Sequence, residues 1–185
     1  MTTPRGPISR RNPIVAIFVA ALCAIASCAA SPAARAAGPC ALVPNAHDPS
    51  EKILQCGQTL TVQPAAGTRW RPIFQRGHTL PTGARLDDGA LLIEFHPSDQ
   101  DHDFQILTPL AIAAVRGTKW AMEVTRARTS TLVLAGAVAV TSRPLNQYVV
   151  LTEGQGVDIS PQDKALTQKT WGEARVRALL ARFGQ

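Results

Sequence analysis

The sequence predicts an all-β protein, an antiparallel-rich β-sandwich or short β-solenoid of about ten short strands closed by one C-terminal amphipathic α-helix. Two observations predict the strands. From Gln58 onward apolar residues alternate with polar ones in short segments, and Gly, Asp-Gly and Arg-Pro signals separate those segments. A third observation predicts the helix, because the apolar period lengthens to three and four only after Thr170.

Residues 1–36 precede this pattern and read as a signal peptide. Arg5, Arg10 and Arg11 stand ahead of the apolar run Pro13 to Ile25, and small residues lead to the A-x-A site Ala34-Arg35-Ala36. The run is well short of the roughly 20 residues that a spanning helix needs, so cleavage before Ala37 is expected, with no transmembrane helix in the mature chain. The expected location is the periplasm. Ile25-Ala26-Ser27-Cys28 also has the form of a lipobox, which would place a lipid anchor on Cys28.

Cleavage changes the charge. Four of the nineteen Lys and Arg lie in residues 1–36 and all thirteen Asp and Glu lie beyond, which leaves fifteen cations against thirteen anions and a net charge of +2. The basic character is largely the signal's, so nucleic acid is not an expected partner. Export also decides the cysteines. Cys40 and Cys56 survive cleavage into an oxidising compartment, which predicts a disulfide pinning an N-terminal segment over 37–57. No C-x-x-C or histidine at ligand spacing accompanies them, and no cofactor or metal is expected there.

The β domain is expected over 58–160. Its candidate strands, in order, are Thr59 to Gln63, Trp70 to Gln75, Ala90 to Phe95, Phe104 to Leu107, Leu110 to Val115, Lys119 to Thr125, Thr131 to Ala135, Ala137 to Thr141, Tyr148 to Thr152 and Gly156 to Ile159. Gly67, Gly77, Gly83, Asp87-Asp88-Gly89, Gly136, Arg143-Pro144 and Glu153-Gly154 punctuate them as turns. Residues 161–185 hold a linker and the helix. Thr170 and Glu173 form a capping box, and Val176, Leu179, Leu180 and Phe183 fall on one helical face, with Gly184 as a stop. That face is expected to pack across an open end or edge of the sheets.

The most apolar stretch, Ile106 to Val124, is broken by Arg116-Gly117-Thr118. Trp120, Met122 and Val124 share one face of the strand that follows, and Lys119, Ala121 and Glu123 the other. Gly117 lets the chain bulge or turn there, and Arg116 is expected to fasten the corner against carbonyls or a carboxylate.

The order Thr108-Pro109, a small apolar run, Val115-Arg116-Gly117-Thr118 and Trp120, followed by LVLAGAVAVTS with Gly136 and by VVLTEGQGVDIS, resembles the FecR domain family over about Thr59 to Ile159. Trp120 stands where that family usually has phenylalanine. The resemblance implies that Thr108, Pro109, Val115, Arg116, Gly117, Thr118, Trp120 and Gly136 are structural, in a periplasmic all-β domain. In sigma-factor regulators such a domain relays a signal from an outer-membrane transporter across the inner membrane. Only residues 1–12 precede the apolar run here and 160–185 follow the domain, so the sequence is expected to lack both the domain that holds a sigma factor and the module that meets a transporter.

No catalytic set accompanies the four histidines, His47, His78, His96 and His102. There is no G-x-S-x-G or H-E-x-x-H, and Asp99, Asp101 and Asp103 open a calcium-loop spacing that fails at Phe104 and Leu110. Arg69, Trp70, Arg71, Phe74 and Arg76 form the basic and aromatic cluster of the mature chain, with Trp70 expected inside and the arginines outside. The leading expectation is a non-enzymatic exported protein, with neither catalytic nor cofactor residues, that binds a protein or an envelope component in sensing or assembly. The alternatives are an envelope-anchored structural lipoprotein and a metal-dependent hydrolase built on His96, Asp99, Asp101 and His102.

Overall fold

The structure is a computed structural model that describes residues 40–97 and 103–185. The signal segment, the lipobox cysteine Cys28 and the residues Asp99, Asp101 and His102 lie outside the described residues.

Thirteen strands and one helix follow one another: β1 (Ala41–Pro44), β2 (Lys52–Cys56), β3 (Leu60–Pro64), β4 (Arg69–Ile73), β5 (Gly83–Phe95), β6 (Phe104–Leu107), β7 (Ala111–Val115), β8 (Thr118–Val124), β9 (Thr129–Ala135), β10 (Ala137–Ser142), β11 (Gln147–Thr152), β12 (Gln155–Ile159), β13 (Gln168–Thr170) and α1 (Glu173–Ala181). They form a single sheet folded into two layers. The first layer runs β1-β2-β3-β5-β8-β9-β12-β13 and the second β4-β5-β6-β7-β10-β11, with β5 shared. Every pairing is antiparallel except that of β5 with β6. The all-β reading with one C-terminal helix is what the structure shows, and the layered form is a sandwich hinged on β5.

Between the layers lies the main core. Leu91, Ile93, Phe95, Trp120 and Met122 of the first layer meet Leu86, Phe104, Ile106, Val138 and Leu151 of the second. Burying such side chains contributes on the order of 2 kcal/mol each. The alternate positions of β5, β8 and β9 are buried too, because Ala90, Leu92, Ala121 and Leu132 support Trp171, Leu179 and Phe183 on the outer side of the first layer. These central strands are therefore apolar on both faces, which is why the sequence there loses its clean alternation.

Two sequence expectations need correction, and the first two strands went unread. Within the disulfide-pinned segment, β1 and β2 extend the first layer outward from β3. Their burial alternates only weakly, which hid them. Asp87-Asp88-Gly89 is not a turn between strands, because β5 runs straight through it. Arg69 pairs with Asp88 and Trp70 with Leu86, so Asp87 is the extra residue of a bulge, and Gly89 at φ +93° re-aims the strand into the other layer. Thr170 is no N-cap either. It is held in β13 opposite Gln155, and Gly172 caps α1 without a side-chain hydrogen bond.

The helix stripe itself is as read, with Leu179 and Phe183 buried and Val176 and Leu180 packed beside them. It lies on the outer face of the first layer and not across an open end or edge. No helix among the described residues is long and apolar enough to cross a membrane.

Candidate functional site

Each motif residue marked by the resemblance has a structural position. Thr108 and Pro109 begin the four-residue turn that joins β6 to β7. The Thr108 hydroxyl accepts the Ala111 N–H at 2.8 Å and donates to the Ala111 carbonyl at 3.0 Å, inside the core. Proline after it presets the turn at a position whose N–H is not needed. Thr129 sits 3.3 Å from the same hydroxyl and ties the turn to β9.

Val115 ends β7 in the second layer and Thr118 begins β8 in the first, so Arg116 and Gly117 are the whole of a layer crossing. Gly136 is the whole of the next crossing, from β9 to β10. The two corners touch. Gly117 takes φ +77° and Gly136 φ +83°, and a β-carbon at 136 would lie 2.7 Å from the Gly117 carbonyl oxygen and 2.7 Å from Thr118 Cγ2. Only glycine fits at 136, both for its backbone and for the space.

Trp120 is fully buried opposite Ile93 and Val133. Its indole N–H meets no acceptor among the described residues, a desolvation cost that phenylalanine at this place would not carry.

Arg116 departs from the expectation. It is exposed, and among the described residues it makes no hydrogen bond or ion pair, so it does not fasten the corner. The nested glycine corners and the hydroxyl-held Thr108 turn do that work, and the guanidinium takes no part in it among the described residues.

Cys40 and Cys56 form the expected disulfide, with sulfurs 2.04 Å and α-carbons 4.0 Å apart. The bridge closes the β1–β2 hairpin at the edge of the sheet. Beside it, between β1 and the edge strand β4, lies an open cavity of about 520 Å³ lined by Cys40, Leu42, Leu54, Trp70, Pro72 and Phe74. Trp70 packs partly into the core while Arg69 and Arg71 are exposed, as the strand phase predicts, and Phe74 and Arg76, on the same phase as Trp70, are exposed because β4 ends at Ile73.

The histidines among the described residues do not gather. His96 is exposed and pairs with Glu94 at 2.9 Å, His47 stands against Gly184 near the chain end, and His78 lines a second cavity, with Asp103 and Gln105. No group of three His, Cys, Asp or Glu able to hold a metal occurs among the described residues.

A polar cluster that the sequence did not signal lies where α1 meets the first layer. Arg175 grips Asp158 with both nitrogens, at 2.6 and 2.8 Å, and stacks over Trp171 at 3.4 Å. Ser130 donates to the same carboxylate at 2.6 Å. Burial raises the Asp158 pKa, but the hydrogen bonds from Arg175 and Ser130 and the charges of Arg175 and Arg128 outweigh it, so the group sits below its ordinary value. The cluster latches the helix, and i, i+17 partners leave no local trace in a sequence.

Across the second layer the outward positions form two registered rows. Arg71, Arg85, Leu107, Ile112, Thr141 and Tyr148 lie side by side over six strands. Next to them run Ile73, Gly83, Gln105, Ala114, Ala139 and Val150. No helix covers this face, and Tyr148 and Val150 are 73% and 51% exposed.

Comparison with known proteins agrees with this architecture. Residues 58–139 match the family described as FecR protein, a stretch that runs from just before β3 into β10. Two crystal structures of a candidate anti-sigma factor from Parabacteroides distasonis ATCC 8503, at 2.50 and 1.65 Å resolution, share the fold. The TM-scores are 0.58 and 0.53, at 16% identity over 76% of this chain in both cases. The chain spans 63% and 59% of those two structures, less than two thirds of either. No curated protein matches the chain. Residues 58–139 are thus similar to the FecR protein family, and they lie in a two-layer sheet that continues on both sides of them.

Proposed function

We propose that the protein is an exported, non-enzymatic FecR-domain protein that acts in signalling by binding a protein or envelope component in the periplasm. The observation that carries this reading is the FecR match over 58–139 together with the fold shared with candidate anti-sigma factors. The motif residues support it, because they build turns and corners and present no nucleophile, base or ligand set. The order of charge, apolar run and A-x-A site in residues 1–36 supports export, and the Cys40–Cys56 bridge suits an oxidising compartment. Cys28 in its lipobox supports a membrane-tethered form of the same binding protein.

Fractionation with intact mass and affinity capture tests the reading. The expected result is protein in the envelope or periplasmic fraction, with a mass that begins at Ala37 and lacks two hydrogens, or that carries diacylglycerol on Cys28. A specific envelope component is recovered with it. A full-length cytoplasmic species, or turnover that metal removal abolishes, would contradict it.

A further inference from the structure

Most ion pairs among the described residues lie on one outer face. On the side of the first layer and α1, Lys119 pairs with Glu94, Arg128 and Arg175 with Asp158, and Arg182 with Glu123, while Arg126 and Lys169 have no ion-pair partner among the described residues. On the side of the second layer Arg69, Arg71, Arg116 and Arg143 have no ion-pair partner among the described residues, and only Arg85 has one, Asp87 at 2.8 Å. Neither outward row of this face contains an acid. Arg71 and Arg85 stand directly opposite one another on β4 and β5, and Asp87 pairs with Arg85 alone, so Arg71 faces a like charge without an acid of its own among the described residues.

Apolarity is uneven in the same way. The outer side of the first layer is sealed by Trp171, Leu179 and Phe183. The second layer instead leaves Ile112, Ala114, Ala139, Val150 and Tyr148 as a bare, flat patch, with the arginines at one side and Arg116 at the adjacent corner. From Arg71 to Tyr148 the face spans five strand spacings, on the order of 24 Å.

We propose that the bare face of the second layer docks a partner protein whose surface carries an apolar patch bordered by carboxylates. The apolar patch covers Ile112, Ala139, Val150 and Tyr148, and the carboxylates bridge Arg71 with Arg85 and meet Arg116. A protein fits where an anionic glycan or lipid headgroup does not, because a charged polymer has nothing to place over the centre of the patch, whereas aromatic, aliphatic and arginine side chains together are the composition of protein interfaces. The inference rests on the binding reading above and gives it a surface and a chemistry.

Site-specific photo-crosslinking in cells expressing the full chain tests it, with benzoylphenylalanine placed in turn at Tyr148, Ile112, Phe74 and Arg177. The expected result is protein adducts from 148 and 112 only, at a segment of the partner that contains Asp or Glu. The double variant Arg71→Glu with Arg116→Glu keeps the wild-type melting temperature and lowers the adduct yield at least about tenfold. Changing the partner's acids to lysine restores it. Adducts confined to 74 or 177 overturn this surface while leaving the binding reading intact. Lipid or glycan adducts from 148 and 112 overturn the partner class. No adduct with any molecule from any position counts against the binding reading itself.

Discussion

Gly136 lies so close to Gly117 that a β-carbon on it would come within 2.7 Å of the Gly117 carbonyl oxygen. The two layer crossings β7–β8 and β9–β10 are therefore one nested structure, and the spacing from Gly117 to Gly136 in the sequence is the length of β8, β9 and the turn that joins them.

Gly136→Ala is expected to cost about 2–4 kcal/mol, from a left-handed backbone and a clash with backbone that cannot yield. Gly154→Ala is the control. It shares a positive φ, +77°, but faces open space, so about 1 kcal/mol is expected. Urea unfolding of the two variants beside wild type separates space from conformation.

Thr108→Val removes a buried hydroxyl and leaves the Ala111 N–H without its acceptor. A loss of about 1–3 kcal/mol is expected, and Thr108→Ser should recover most of it because the hydroxyl returns. A Val variant as stable as wild type beside a destabilised Ser variant would mean that the methyl group and not the hydrogen bonds holds the turn.

Much of this fold was legible. Period-2 alternation and the turn signals between segments located the ten strands from Thr59 to Ile159, because each has at least one face against the core, although β5, β8 and β9 have both faces buried. The stripe Val176, Leu179, Leu180 and Phe183 located the helix. What escaped lacked a local signal. β1 is an edge strand and β2 its neighbour, both with few buried positions, β13 has none, and the bulge at Asp87 looks like a turn because turns and bulges use the same residues. The motif glycines showed where the chain changes direction, but nothing local told that the two corners touch, that Arg116 is spared from them, or that Arg175 reaches Asp158.

The disulfide closes a loop with a sequence separation of 16, for which chain entropy gives about 3 kcal/mol. Cys40→Ser with Cys56→Ser should lower the unfolding free energy by about that amount, and a reducing agent should lower the wild type to the same level. A reductant that leaves the wild type unchanged would contradict the role given to the bridge.

Asp158 has its pKa held below its ordinary value of 3.8. The carboxylate therefore binds fewer protons in the folded than in the unfolded state, so its contribution is complete above about pH 4 and is lost as pH falls toward the folded value. Because the pair is more than a third exposed, screening keeps the effect small, and Asp158→Asn is expected to cost about 1 kcal/mol at pH 7 and nearly nothing at the acid end. Thermal melts of both proteins across that range should converge on acidification. Curves that stay parallel would remove Asp158 from the latch.

If the glycine corners carry the fold while Arg116 is left for a partner, Arg116→Ala separates the two roles. Denaturant unfolding and recovery of the bound component are read on the same preparation. The expected result is an unfolding free energy within about 0.5 kcal/mol of wild type and a reduced recovery. A variant that unfolds at clearly lower denaturant yet keeps its partner would contradict it.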